Sequence, residues 1–169
     1  MTNRGPIGER SVPAFAATKG ECRMNHVDKA EELFRAGHAC SQAILMAWAP
    51  DYGLDAGRAA RLAAGFGAGM RVGSVCGAVT GAFMVLGLAV CGQDCVTGEG
   101  RTASATANAT FAERFRERVG CLDCPGIIGC DLRTAAGKAT AQASGLVAAK
   151  CAPAVRAAAE ILTEMLPGS

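Results

Sequence analysis

Nine cysteines stand at positions 22, 40, 76, 91, 95, 121, 124, 130 and 151. An ionised thiol is both a nucleophile and a metal ligand. Their odd number forbids complete internal pairing. Cys40, Cys76 and Cys151 fall where helices should begin, and Cys124 sits in a turn just before Pro125. A helix start offers unpaired N–H groups and the positive end of the dipole, and both favour thiolate over thiol. Thiols drawn from separate elements and activated alike are what a multi-cysteine site would need. Taken singly, Cys22 and Cys130 read as small buried hydrophobes.

The neighbouring residues sharpen this reading only in part. His38 lies two residues before Cys40 and Arg71 five before Cys76. Either cation lowers a thiol pKa if the fold brings them together, and the plain alternative is a loop histidine and a solvated arginine. Cys121 and Cys124 form one C-x-x-C, and Cys91 and Cys95 enclose Gly-Gln-Asp. A second C-x-x-C at zinc-ribbon spacing is absent, and no βαβ pattern supports a thioredoxin motif. The GFGAG at 65–69 follows a helix rather than a strand, so it is no dinucleotide turn. His38 and Cys40 lack the oriented third member of a hydrolase triad.

Composition narrows the class. Half of the 169 residues are hydrophobic but only 5% are aromatic, and the formal charge is +2. Such a chain suits one domain of closely packed helices. It offers neither the basic surface nor the stacking platform that nucleic acid would need. The run 72–93 has no charged residue. Its apolar part, Val75 to Val90, is short of the ~20 residues of a membrane span and lacks basic and aromatic flanks. Within it, Gly77 and Gly81 share one helical face, where another backbone could approach closely. Gly81 and Gly87 read as packing glycines. The opening residues lack the apolar core of a secretory signal, which leads us to expect a reducing cytoplasm.

The elements that must carry the thiols are all helical. Residues 1–24 read as a flexible tail, and residues 25–169 as a single helical, cysteine-rich domain. Asn25 should cap a first helix that Gly37 stops. A second should run from about Cys40 to Ala49, with Ser41 as a further candidate cap. Asp55 caps a third, which ends in the glycines at 65–69. A fourth should start near Ser74, and a fifth covers roughly 102–119, closed by Gly120. Segment 121–132 reads as a loop with a short apolar turn, and 133–150 as a frayed helix or loop. Pro153 opens the last helix. The expected fold is an all-α compact bundle of about five to six helices.

Four separated segments carry a resemblance: FRAGHACSQAILMAWAPDYGLD (34–55), GFGAGMRVGSVCGAVTGAFMVLGL (65–88), FAERFRERVGCLDCPGIIGCD (111–131) and CAPAVRAAAEILTEML (151–166). Together they resemble the redox-active family known by its C…GCAxxG…C…C cysteine pattern. The resemblance assigns the family cysteines to Cys40, Cys76, Cys124 and Cys151, and the closing glycine of the central motif to Gly81. The centre here reads Cys76-Gly77-Ala78 rather than Gly-Cys-Ala. The family implies a helical protein, redox-active through its cysteines, and supplies no substrate class.

Three functions follow as expectations. The first is a cysteine-based redox protein with thiol–disulfide oxidoreductase-like activity, needing no cofactor and acting on a redox partner protein or a small oxidant. In it Cys76, or else Cys40, attacks; Cys124 or Cys151 resolves; and Cys121 exchanges locally. The second is an iron–sulfur or zinc protein that uses Cys40, Cys76, Cys124 and Cys151 as ligands. The third is a non-catalytic helical partner of a redox enzyme, with the GxxxG face as the seam of a homo-oligomer.

Overall fold

The computed structural model describes residues 24–91, 95 and 98–167. Apart from Met24, the tail expected over 1–24 lies outside them, as does Cys22. Eight α-helices and no strand are found among the described residues, so the all-α expectation holds with more helices than foreseen. They are α1 (His26–Arg35), α2 (Cys40–Trp48), α3 (Ala56–Ala63), α4 (Gly77–Val90), α5 (Gly98–Val119), α6 (Cys124–Ile128), α7 (Ala135–Ala143) and α8 (Ala152–Met165). None is long and apolar enough to cross a membrane.

The helix boundaries largely obey local rules. The Asn25 side chain accepts the Asp28 N–H at 2.9 Å, and Gly37, at φ 97°, ends the following turn. Asp55 accepts the Arg58 N–H at 3.0 Å to open α3. Gly120, at φ 98°, closes α5. Three boundaries depart from expectation. Ser41 caps nothing, because its Oγ lies inside the core and donates to the Ala63 carbonyl at 2.8 Å. Gln42 instead reaches back to accept the Ala39 N–H at 2.9 Å, and its amide donates to the Ala60 carbonyl at 2.9 Å. Within 133–150, expected as a frayed helix or a loop, Ala135–Ala143 form α7, whose cap is Thr134 Oγ1 accepting the Gly137 N–H at 2.9 Å, and Val147–Cys151 form a π-helical turn. The pattern of α7 is weak because it buries only Gly137 and Ala141.

The third departure matters most for the site. Helix α4 starts at Gly77, not near Ser74, because residues 74–76 are pulled into an isolated antiparallel bridge between Val75 and Asp123. The Cys76 N–H donates to the Leu122 carbonyl at 2.8 Å, and the Cys124 N–H donates to the Ser74 carbonyl at 2.9 Å. These two bonds fasten the start of α4 to the start of α6.

Helix α2 is the central rod. Ser41, Ala43, Ile44, Leu45, Ala47 and Trp48 are all buried, and α1, α3, α4 and α8 pack around it. Phe111 and Phe115 bring α5 onto the same core, with Phe83 of α4 edge-on to Phe111 at 6.0 Å. The GxxxG face of α4 is not a free seam, because α2 occupies it. A Cβ at Gly77 would meet the Ser41 N at 3.0 Å and the Cys40 Cβ at 3.1 Å; at Gly81 it would meet the Ser41 carbonyl oxygen at 2.9 Å. Gly87 differs from the packing role expected of it, since nothing lies within 4 Å of its would-be Cβ.

Before α4 the chain makes a left-handed turn. Ala68, Met70 and Arg71 have φ of 51°, 57° and 62°, with Gly69 at 67° between them. For residues with a Cβ this costs about 1–2 kcal/mol each. The Ser74 N–H bond to the Gly69 carbonyl, 2.8 Å, and two bonds from the Arg71 guanidinium to the Ala64 carbonyl, 3.0 and 3.4 Å, hold the turn.

The two glycines of α4 should respond in opposite directions to alanine. Gly81→Ala should destabilise the fold by about 1–3 kcal/mol, because it drives a methyl into α2. Gly87→Ala should stabilise it by about 0.5–1 kcal/mol, the usual helix-propensity gain. Urea unfolding midpoints of the two variants check both signs.

Candidate functional site: a cluster of four thiols

Three of the four cysteines drawn from separate segments sit at a helix start; Cys151, expected at one, instead ends a π-helical turn, Val147–Cys151, that runs without a break into α8. Cys40 and Cys124 are the first residues of α2 and α6, and Cys76 holds the cap position of α4. The fold gathers them. The Cys40 Cβ stands 3.1 Å from where a Gly77 Cβ would be, beside Cys76, and Cys40 packs in the same apolar cluster as Cys124 and Cys151. Cys124 feels the charges of Cys76, Cys151 and Cys130. Cys76, Cys124 and Cys151 are buried, and Cys40 is half-buried. All four are thiols rather than disulfides.

Glycines make the approach possible. Gly77 lets α4 touch the Cys40 Cβ, and Gly69 leaves room for Cys124, whose Cβ lies 2.9 Å from where a Gly69 Cβ would stand. The bridge at Val75 and Asp123 then sets Cys76 beside Cys124. With glycine at 77, the central cysteine falls at the cap of α4, one position before the family label would have it. Gly69, Ser74 and Asp123 were not foreseen as parts of the site. Asp123 was readable as the cap of a short D-C-P-G helix, where its carboxylate accepts the Gly126 N–H at 2.7 Å. Nothing local announces a bridge between residues 48 apart.

The electrostatics divide the thiols into two kinds. The Cys40 pKa is pushed well above the ordinary thiol value by the neighbouring sulfurs of Cys151 and Cys76, with burial acting the same way. The Cys76 pKa is lowered, chiefly by the Cys40 hydrogen bond. Burial opposes this, and the Ala78 and Val79 amides at the start of α4 assist. Those amides face the sulfur without making a full cap bond, and the Val79 N–H donates to the Cys76 carbonyl at 3.0 Å. The Cys151 pKa is also lowered by the Cys40 hydrogen bond, against burial. Burial first, then the neighbouring thiolates, pushes Cys124 up to about 12. A low–high–low set results, with the proton held in the middle.

The remaining candidates separate clearly. Cys121 is half-buried near Asp123, and burial and that carboxylate raise its pKa. Arg71 faces away to the Ala64 carbonyl and is no cause of the Cys76 shift. The ring of His38 takes part in no hydrogen bond or ion pair among the described residues, and its backbone N–H serves the end of α1 by donating to the Leu33 carbonyl at 3.2 Å. Cys130 donates to the Gly137 carbonyl at 3.5 Å and Cys91 to the Gly100 carbonyl at 3.7 Å. Among the described residues, no group of three or more His, Cys, Asp or Glu side chains is placed to hold a metal ion.

This geometry agrees with the one relationship that comparison establishes. The chain belongs to the family described as "Putative redox-active protein (C_GCAxxG_C_C)", which it matches over residues 38–165. No curated protein and no solved structure matches it.

Two expectations follow from the thiol electrostatics. Cys40→Ala should raise the pKa of both Cys76 and Cys151, because each loses the hydrogen bond that chiefly lowers it; ultraviolet thiolate absorbance against pH checks this. Cys124 ionises near 9.0 when unfolded and near 12 when folded. Its contribution to stability is therefore complete below pH 9.0 and is lost as the pH rises towards 12. Denaturation midpoints across that interval should fall less steeply in Cys124→Ala than in the parent protein.

Proposed function

We propose that the protein is a thiol–disulfide redox protein whose working unit is Cys76–Cys40–Cys151. The observation that carries this reading is the gathering of free thiols from separate helices: α4 meets α2 at the Cys40 Cβ, and Cys40 packs in one cluster with Cys124 and Cys151. The lowered pKa of Cys76 and Cys151 beside Cys40 agrees with it. A thiolate at Cys76 or Cys151 attacks one sulfur of a substrate disulfide. The substrate S–S bond breaks, and the departing thiolate takes up a proton. Cys40 gives up its own proton and attacks the mixed disulfide, releasing the second substrate thiol. The protein ends with a disulfide between Cys40 and the attacking cysteine, having given two electrons to the substrate.

This assignment places Cys40 as resolver, a role for which its high pKa and central position suit it better than attack. Cys124, with a pKa pushed to about 12, is a poor attacker and serves as a reserve exchange partner. A helical partner without turnover would carry the same cluster but would not consume a disulfide.

The test is a single-turnover reaction of the reduced protein with a small disulfide, read by mass spectrometry of non-reduced peptides. A Cys40–Cys76 or Cys40–Cys151 crosslink is expected. Cys40→Ser should instead accumulate the substrate adduct on Cys76 or Cys151, with second-thiol release slowed at least tenfold. Unchanged release without adduct in Cys40→Ser would overturn the reading.

A further inference from the structure

Cys91 and Cys95 take no part in the cluster described above, yet they share a cavity of their own. It holds about 310 Å³ and lies among α2, α3 and α4. Leu45, Leu54, Leu62, Met84 and Leu88 form its walls, and both cysteines line it. Among the described residues no charged side chain does. Cys95 is exposed and Cys91 half-buried, so the cavity reaches solvent at its sulfur end. Leu62 and Leu88 are 58% and 38% exposed, which makes the mouth apolar as well.

Gly87 is an independent sign that this space is kept open. It lies inside α4, where glycine weakens a helix relative to alanine. Gly77 and Gly81 of the same helix have a packing reason, the close approach of α2. Gly87 has none, because nothing lies within 4 Å of its would-be Cβ, and it lines this cavity. The pair of sulfurs is also remote from the cluster. Cys76 precedes the first residue of α4 and Cys91 follows the last, so the helix rise sets them about 20 Å apart. The Cys91 thiol donates to the Gly100 carbonyl at 3.7 Å.

An apolar pocket with two thiols in its wall matches an uncharged ligand that can react with both. We propose that Cys91 and Cys95 form a second dithiol site, which reduces a small uncharged disulfide whose apolar or aromatic arm sits over Gly87. A single cysteine would only hold such a ligand as an adduct, whereas two carry the exchange to completion. Cys95, the more exposed, attacks first. Its thiolate bonds to one substrate sulfur, the substrate S–S bond breaks, and the departing thiolate takes a proton from water. Cys91 then gives its proton to solvent, bonds to the Cys95 sulfur and displaces the second substrate thiolate. The substrate leaves as two thiols, having gained two electrons, and the protein keeps a Cys91–Cys95 disulfide. This site does not depend on Cys40, Cys76 or Cys151.

The experiment treats the reduced protein, in single turnover, with two uncharged disulfides: the aromatic 4,4′-dithiodipyridine and the hydrophilic bis(2-hydroxyethyl) disulfide. Only the kinetic phase that Cys95→Ser abolishes is read, since other cysteines also react. In the parent protein this phase should release both substrate thiols and leave a Cys91–Cys95 disulfide, seen by mass spectrometry of non-reduced peptides. Cys91→Ser should stop at the adduct on Cys95. Gly87→Leu fills the pocket and should lower the rate with the aromatic probe, relative to the hydrophilic one, about tenfold. Leu62→Asn, at the exposed mouth, should move the ratio the same way and serves if Gly87→Leu does not fold. A ratio unmoved by these substitutions, a missing Cys95-dependent phase with both probes, or release of both thiols in Cys91→Ser each overturns the inference. None of these outcomes touches the reading of the Cys40 cluster, which stands or falls by Cys40→Ser.

Discussion

Two missing side chains, at Gly77 and Gly81, let α4 settle directly onto the first turn of α2. A Cβ at either position would stand 2.9–3.0 Å from α2 backbone atoms. Contacts that short do not occur in relaxed packing, so the helices would have to part. That approach sets Cys40 against Cys76. The Val75–Asp123 bridge then ties the start of α4 to the start of α6, bringing in Cys124, and α8 closes the group with Cys151. Close backbone contact comes first, and the chemistry is possible only because of it.

Cys40 and Cys76 stand at the N-terminal ends of α2 and α4, where unpaired N–H groups and the positive dipole end favour a thiolate. Burial works against them, because a thiolate away from water is costly. The outcome differs from one sulfur to the next. Cys76 and Cys151 compete for the one Cys40 proton, and its presence beside them eases both towards the thiolate. Cys124 has no such help, and burial with the nearby sulfur charges holds it protonated. Identical side chains at similar helix positions thus acquire opposite acid–base character, and who donates the shared proton decides it.

Most helices were legible in the chain. Asn25, Asp55 and Pro153 mark starts and Gly37 and Gly120 mark stops, because capping needs only a few consecutive residues. Helix α7 was obscured because its alanine-rich turns bury only two small residues and leave no periodic stripe. Ser41 misled for a related reason. A serine at a helix start reads as a cap, yet here its hydroxyl faces inward to the Ala63 carbonyl of another element. The extended stretch 74–76 looks helical in the chain because its pairing partner, Asp123, lies far along it.

Caps, stripes and spacings in the chain were enough for an all-α protein with cysteines near helix ends, and the order of its motifs points to its family. These properties are local: a cap, a stripe or a spacing is complete within a few turns of chain. Packing alone brings Cys40 beside Cys76 and Cys151, turns Arg71 to the Ala64 carbonyl and not to a thiol, and lays α2 on the GxxxG face. Those facts depend on which helices meet and at what distance. Such contacts join residues tens of positions apart, and no local pattern encodes them.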